Sequence, residues 1–502
     1  LSGNGTFAGD VINDGGSIEP GTAGVAGILT IDGNYSVTVT GGDVTIKVES
    51  AFNDQLNITG SADFTNTTLS LVDNGAIVFD GLNLAAIVSS GTLSSSFASV
   101  SNPFAGFTAV ANINGNDIDL LFNAILAGFT WTGAGDGVSW NDGANWSAGI
   151  PTISDDITIG AFDITITGGA DVNSLTLASG GSITLNSGTF TIGSNSSLDG
   201  AFVMTGGNLD ISGITLTINN SFTWNGTSTI TGSGLTSVLN ISNTPIVATV
   251  TEEAGTHTLD NVSVNNQGVW TREATVDAQL TFLNGAEFNN DNSLILNTNF
   301  GMGNAFGTFW NNPGATLTLN GGGVSNWLVQ FNSTDATINI GGAGLRINSG
   351  GTFSGANIVN SGPVILLAGT TTMTANSSIT GSGLLSIGVI NQNPQLIVQG
   401  NASIDSLNFG GWGTGTASIN IQAGTLTIND NFNWQGDNAS TIFGNGLGSL
   451  LIGSGANAGS VSGGTTRTLN GLTIENNGTW VETASVNTPL ILENNSVFNN
   501  NN

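Results

Sequence analysis

The chain has 502 residues, 34 of them acidic against four basic (Lys47, Arg272, Arg346 and Arg467), a formal net charge of −30, 75 glycines and no cysteine. That balance excludes phosphate neutralisation by clustered Lys and Arg, and with it nucleic-acid binding and attachment to anionic membrane surfaces. The absence of cysteine excludes disulfides and thiolate metal sites, and no apolar run approaches the ~20 residues of a transmembrane helix.

Residues 1–128 open with Gly9-Asp10-Val11-Ile12-Asn13, Glu19-Pro20-Gly21 and Gly27-Ile28-Leu29-Thr30-Ile31-Asp32-Gly33-Asn34-Tyr35. Asp54-Gln55-Leu56-Asn57-Ile58-Thr59-Gly60 and Thr68-Leu69-Ser70-Leu71 follow. In order and spacing this succession, over roughly residues 3–72, resembles the segment that closes the β-helices of autotransporter passengers and large bacterial adhesins. Residues 85–128 continue it loosely. The resemblance implies a closing module over 1–128 and a bacterial cell-surface or extracellular location.

Residues 129–156 hold Trp131-Thr132-Gly133, Trp140-Asn141, Asn145-Trp146, Pro151 and Asp155-Asp156. They resemble the segment that opens bacterial surface repeat arrays, ahead of a run of L-T-L and I-T-I rungs. Such rungs do follow over 157–502, as Ile157-Thr158-Ile159, Leu175-Thr176-Leu177, Leu216-Thr217-Ile218, Leu317-Thr318-Leu319 and Leu426-Thr427-Ile428. Each places two aliphatic side chains on one face and a hydroxyl on the other. Strands this short cannot bury enough surface as isolated hairpins. Stacked as coils, they predict an all-β, right-handed parallel β-solenoid, elongated, with Asn and Gly at corners where positive φ is needed.

A super-repeat of 210 residues relates 222–290 to 432–500 (432 − 222 = 500 − 290 = 210). Phe222, Trp224, Gly226, Gly268, Trp270, Ala274, Val276, Phe288 and Asn290 return as Phe432, Trp434, Gly436, Gly478, Trp480, Ala484, Val486, Phe498 and Asn500. The charged positions differ: Arg272 falls on Glu482 and His257 on Arg467. Packing and turn residues are kept, which reads as architecture rather than catalysis. With a closing segment first, an opening segment second and no signal peptide at Leu1, 1–502 is expected to be a window on a longer array.

No catalytic set and no cofactor site is read from the sequence. Asp136, Asp155 and Asp156 are the candidate Ca²⁺ ligands, although the G-G-x-G-x-D calcium repeat is missing. Asp155-Asp156 is also the one carboxylate pair to weigh for glycoside hydrolysis, but adjacent strand residues point to opposite faces. His257, the sole histidine, is expected to be solvated. Trp131, Trp140 and Trp146, with Trp224, Trp270, Trp310, Trp327, Trp412, Trp434 and Trp480, are expected to pack the core; exposed, they would offer sugar platforms. Asn-x-Ser/Thr sequons include Asn145, Asn225 and Asn438. Thr-x-Thr pairs such as Thr165/Thr167 raise ice binding, against which the irregular rung lengths argue.

The sequence thus predicts a non-catalytic structural or adhesive surface fibre whose units stack end to end on exposed strand edges. Its expected partners are copies of itself, and surface glycans or other cells. Its low charge density predicts weak dependence of folding on salt.

Overall fold

The computed structural model describes every residue except 23, 39–40, 49–52, 75–81, 90, 94–96, 102, 105–106, 125–128, 245–246, 305, 389–390, 411–414, 436–438, 461–465 and 483–489. Trp412, Gly436, Asn438, Ala484 and Val486 therefore lie outside the described residues. The fold is all-β, and its parallel strands stack into a β-solenoid of about 19 turns. The one helical element described is a single 3₁₀ turn, Gly143–Asn145. The chain forms two compact units, Leu1–Gly128 and Phe129–Asn502.

In the first unit Ser2–Gly3, Ser17–Pro20, Gly42–Val48, Thr67–Asp73 and Ser99–Ser101 make a five-stranded parallel sheet. Gly5–Ala8, Ile28–Asp32, Gln55–Ile58 and Leu82–Ser89 pair in parallel in a second sheet. Here the structure departs from an all-parallel expectation. Phe107–Asn114 and Asp117–Ala124 form an antiparallel hairpin, and the second of these pairs antiparallel with Leu82–Ser89. The turn between them is Gly115-Asn116, with Gly115 at φ +66°, a two-residue connection that suits antiparallel strands and cannot join parallel ones. Ile31, Tyr35, Val44, Ile46, Leu56, Phe64 and Leu69 fill this unit's core.

The second unit is a coil with three strands to a turn, most strands pairing in parallel with the third one after it; the long strands Ala402–Phe409 and Ala417–Trp434 run through corners and shift that count. Turn length varies from 18 residues, where Ile157 pairs Leu175 (175 − 157), to 29, where Ser228 pairs His257 (257 − 228). The strands nevertheless stay in register, because the extra residues go into the connections. Most strands are four residues long and alternate a half-exposed with a buried position, as in Thr215–Ile218, Ser221–Trp224 and Thr316–Leu319. One continuous hydrophobic core runs from Trp131 to Ile474. Each fully buried Leu, Ile, Val or Phe there contributes roughly 1.5–3 kcal/mol by transfer from water.

Corner chemistry follows the expected residue types. Every described non-glycine residue with positive φ is Asn or Asp, among them Asn284 (φ 51°) and Asn494 (φ 55°), which occupy equivalent places in the two repeats. Gly268 and its repeat partner Gly478 are needed for a different reason. A Cβ on either would come within 2.2 Å of the Ala248 carbonyl oxygen or 2.4 Å of the Ala456 one, on the neighbouring turn.

Inside one corner the amides stack as a ladder. Asn266 Nδ2 donates to Asn290 Oδ1 at 2.8 Å, Asn290 Nδ2 to Asn311 Oδ1 at 2.8 Å, and Asn311 Nδ2 to Ser333 Oγ at 3.4 Å. The second repeat repeats the first step, Asn476 Nδ2 donating to Asn500 Oδ1 at 2.6 Å. The amide suits this place because it is at once donor and acceptor, so one residue type can be copied turn after turn, each Nδ2 meeting the next oxygen, while at the start of the ladder Asn266 Oδ1 is buried without a partner.

Candidate functional site

The tryptophan segment packs at the start of the second unit's core. Trp131, Trp140 and Trp146 are 4%, 0% and 4% exposed. Trp146 stands edge-on to Trp131 at 4.9 Å and to Trp140 at 4.8 Å, and Trp140 meets Phe190 at 5.3 Å. The Trp146 indole Nε1 donates to the Trp140 carbonyl at 2.8 Å. None of the three presents a ring face to a sugar. Trp310, at 37% exposed, stands on the outer surface, and Trp480 is half-buried.

Downstream the aromatic repeat residues form the same chain of contacts twice. Phe222 lies 5.7 Å from Trp224 and 6.4 Å from Trp270, and Trp270 lies 5.0 Å from Phe288. Their counterparts Phe432–Trp434, Phe432–Trp480 and Trp480–Phe498 stand at 6.1, 6.2 and 4.9 Å. Each repeat also satisfies its buried indole alike: Trp224 Nε1 donates to Ser228 Oγ at 2.5 Å and Trp434 Nε1 to Ser440 Oγ at 2.7 Å.

The three acidic candidates for Ca²⁺ are occupied by their own chain. Asp136 Oδ1 accepts from the Val138 and Ser139 amides and from Asn145 Nδ2, at 2.8–2.9 Å. The Ser139 contacts, followed by those of Val138 and Asn145, hold its carboxyl well below the usual range. Asp155 accepts from the Thr152 amide and hydroxyl, whereas Asp156 accepts from Asn173 and Ser174 on the following turn. The neighbours in sequence thus diverge, and no group of three His, Asp or Glu able to hold a metal is found among the described residues. The sequon at Asn145 is also closed, since its side chain is fully buried and its Oδ1 accepts from Gly135 and Gly137.

The expectation of a solvated His257 is overturned. Glu252, His257 and Arg272 are 0%, 1% and 1% exposed and meet in the core of the second unit. Glu252 Oε1 lies 2.9 Å from His257 Nδ1, and Glu252 Oε2 accepts from Arg272 Nε at 2.9 Å and from Trp270 Nε1 at 3.2 Å. The guanidinium donates onward to the carbonyls of Phe300 and Gly301, both at 2.6 Å, and of Ala278 at 3.0 Å. His257 stacks on Trp224 at 4.7 Å. Burial pushes the Glu252 carboxyl up, but Arg272 and His257 outweigh it and hold it at about 2.

The signal for this cluster was present as period two. Arg272 follows Trp270 by two residues, Glu252 follows Val250, and His257 precedes Leu259, so each shares a face with a core residue. By the same count Arg467 precedes Leu469, and it too is buried. Two of the three places thus carry an ionisable residue in both repeats, His257/Arg467 and Arg272/Glu482, whereas Glu252 falls on Ser462.

Lys47 is likewise buried in the first unit, its Nζ at 3.1 Å from both Asp54 Oδ2 and Glu19 Oε1. Three of the four basic residues are consequently inside. The outer carboxylates rely on amides from adjacent turns instead: Asn219 on Asp199 (2.7 Å), Asn284 on Asp260 (2.7 Å), Asn312 on Asp291 (2.6 Å) and Asn429 on Asp405 (2.9 Å). An amide N–H to a carboxylate is a charge-assisted bond and brings no cation.

Open surface grooves are shallow and uncharged. One is lined by Asn445, Asn470, Asn494 and Asn495 with Gly444 and Gly446, another by Ser174, Thr176, Ser197, Thr215 and Thr217. Neither contains a carboxylate. Among the described residues no helix is long and apolar enough to cross a membrane. No protein-family profile, no curated protein and no solved structure matches the chain.

Proposed function

We propose that the chain is a structural or adhesive segment of an extracellular, cell-surface fibre, assembled by stacking solenoid units end to end and without catalytic activity. The observation that supports this reading best is the unbroken core from Trp131 to Ile474, which makes successive turns one mechanical body. Each turn adds parallel backbone ladders, amide pairs and stacked side chains, so load along the coil is shared over many contacts. The sequence resemblance to autotransporter and adhesin β-helices favours a bacterial surface location, and a cysteine-free chain tolerates an oxidising exterior.

Electron micrographs of the purified chain across a concentration series test the assembly. Particles in a ladder of lengths support end-to-end stacking, whereas a single invariant length at every concentration defeats its non-covalent form. A second reading, adhesion to surface glycans, rests on the exposed Trp310 ring rather than on the buried tryptophan segment. It requires Trp310→Ala to abolish retention on a glycan array.

A further inference from the structure

Lysine occurs once in this chain of 502 residues, at position 47. Where the core of the second unit holds a cation it uses Arg272, whose planar fork serves several acceptors and stays protonated. An amine is different, because without its proton it is a nucleophile. The one amine side chain is 4% exposed and lies against Asp54, which is 0% exposed.

Both groups are held in place by backbone contacts. The Asp54 amide donates to the Lys47 carbonyl at 2.8 Å, and the Lys47 amide donates back to Asp54 Oδ2 at 2.8 Å. Val48 and Asn53 bridge antiparallel beside them. The Gly27 amide donates to Asp54 Oδ1 at 2.7 Å. Gly21, at φ +77°, leaves room for that oxygen, since a Cβ there would stand 2.7 Å from it. Lys47 Nζ lies 3.1 Å from both Asp54 Oδ2 and Glu19 Oε1 and donates to the Pro20 carbonyl at 2.9 Å. As an ion pair the arrangement is unbalanced: one ammonium faces two carboxylates, and the fully buried Asp54 shares its counter-charge with a Glu19 that is 44% exposed.

We propose that Lys47 and Asp54 join covalently, Nζ to Cγ, in a side-chain amide that ties the end of strand Gly42–Val48 to the start of Gln55–Ile58. The amine and the acid are the substrates, and the products are the amide and one water.

Burial opposes the Lys47 charge, but Glu19 and Asp54 outweigh it and hold the ammonium above its ordinary range. A proton transfer therefore comes first. Glu19 carries one proton from Nζ to Asp54 Oδ2, which leaves a neutral amine beside a neutral acid. The nitrogen lone pair then attacks Cγ, and the Gly27 amide stabilises the oxyanion that forms on Oδ1. Glu19 takes a second proton from the nitrogen and passes it to Oδ2. The Cγ–Oδ2 bond breaks, water leaves with both protons, and the electron pair on Oδ1 restores the carbonyl. Ammonium and carboxylate have become amide and water, and Glu19 ends as it began.

No external activating agent is needed when both partners are fixed and shielded from water, since intramolecular reactions reach effective molarities of about 10⁵–10⁸ M. The product also fits the cradle. Oδ1 keeps the Gly27 amide, and the hydrogen left on the nitrogen keeps the Pro20 carbonyl as its acceptor.

The test is mass spectrometry of the whole chain, stored folded and then denatured. Wild type should weigh one water less than its sequence. Trypsin should cut the denatured chain after Arg272, Arg346 and Arg467 but not after Lys47, because an acylated amine carries no charge for the protease to read. Fragmentation should place the link between residues 47 and 54. Lys47→Arg keeps a cation and cannot form the bond; once circular dichroism shows it folded, it should have full mass and be cut at position 47. Glu19→Gln should accumulate the linked form at least about a hundredfold more slowly, the contribution of a positioned proton carrier.

Wild type of full mass that trypsin cuts after Lys47 overturns the proposal and leaves a plain ion pair. So does a missing water in a chain still cut after Lys47, which places the dehydration elsewhere. A link from Lys47 to Glu19 overturns the assignment of Asp54, and a Glu19→Gln chain that links as fast as wild type overturns Glu19 as the proton carrier.

Discussion

At the scale of single residues the consequential group is Glu252, whose carboxylate ties His257, Trp270 and Arg272 together in the core. Removing one partner of a buried ion pair strands the other, at a cost of about 3–5 kcal/mol. Arg272→Leu should therefore lower unfolding free energy by about that amount, read by chemical denaturation. Glu252 titrates at about 2 in the fold against an ordinary 4.5. A depressed carboxyl stabilises the fold fully above its unfolded value and loses that contribution as pH falls through its folded one. Stability should thus hold from neutrality to about pH 5 and decline between about 4.5 and 2, and Glu252→Gln should remove that part of the decline. A loss already complete at pH 5 contradicts the assignment. Gly268→Ala should cost about 1–3 kcal/mol through the clash with the Ala248 carbonyl, with no change at solvent-open Gly285→Ala beyond the strain of its positive φ.

Among the elements, the corner ladder Asn266–Asn290–Asn311 and the tryptophan segment make separable demands. Asn290→Leu deletes both an acceptor for Asn266 and a donor to Asn311. It should destabilise by about 1–3 kcal/mol for each group left unpaired, whereas Asn312→Ala, at a half-buried outer position, should matter much less. Trp140 is wholly buried between Trp146 and Phe190. Trp140→Ala should cost about 3–5 kcal/mol, with amide exchange rising first in the adjoining strands Asp156–Ile159 and Asp163–Ile166, because a repeat array loosens from the damaged turn. Uniform acceleration across the unit would deny this local character. Calcium should leave the melting temperature unchanged, since Asp136, Asp155 and Asp156 already bond to different groups of the chain.

For the molecule as a whole, the question is how 34 acidic residues coexist in closely stacked turns. Amides from adjacent turns meet the outer carboxylates, and most of the cations serve the interior. Salt screens exposed charges within about 8–10 Å but barely reaches a buried pair. Raising the salt from low to molar should relax repulsion among the outer acids and raise the melting temperature slightly, while leaving the Glu252 cluster intact. A large fall in melting temperature would mean that exposed ion pairs, not core and amides, hold the turns together.

Much of this fold was legible before any coordinates. Alternation such as Leu216-Thr217-Ile218 dictates a two-faced strand, strands so short must stack, and Asn or Gly must turn the corners, as Asn284 and Asn494 do. These are local consequences of backbone sterics and of the side-chain period, so the sequence by itself determines them. The antiparallel pairing of Asp117–Ala124 with Leu82–Ser89 and the ion pair of Glu252 with Arg272 depend on register between residues 20 or more positions apart. Register is set by the summed packing of a whole turn on its neighbours, which no single segment encodes, and only the tertiary structure decided it.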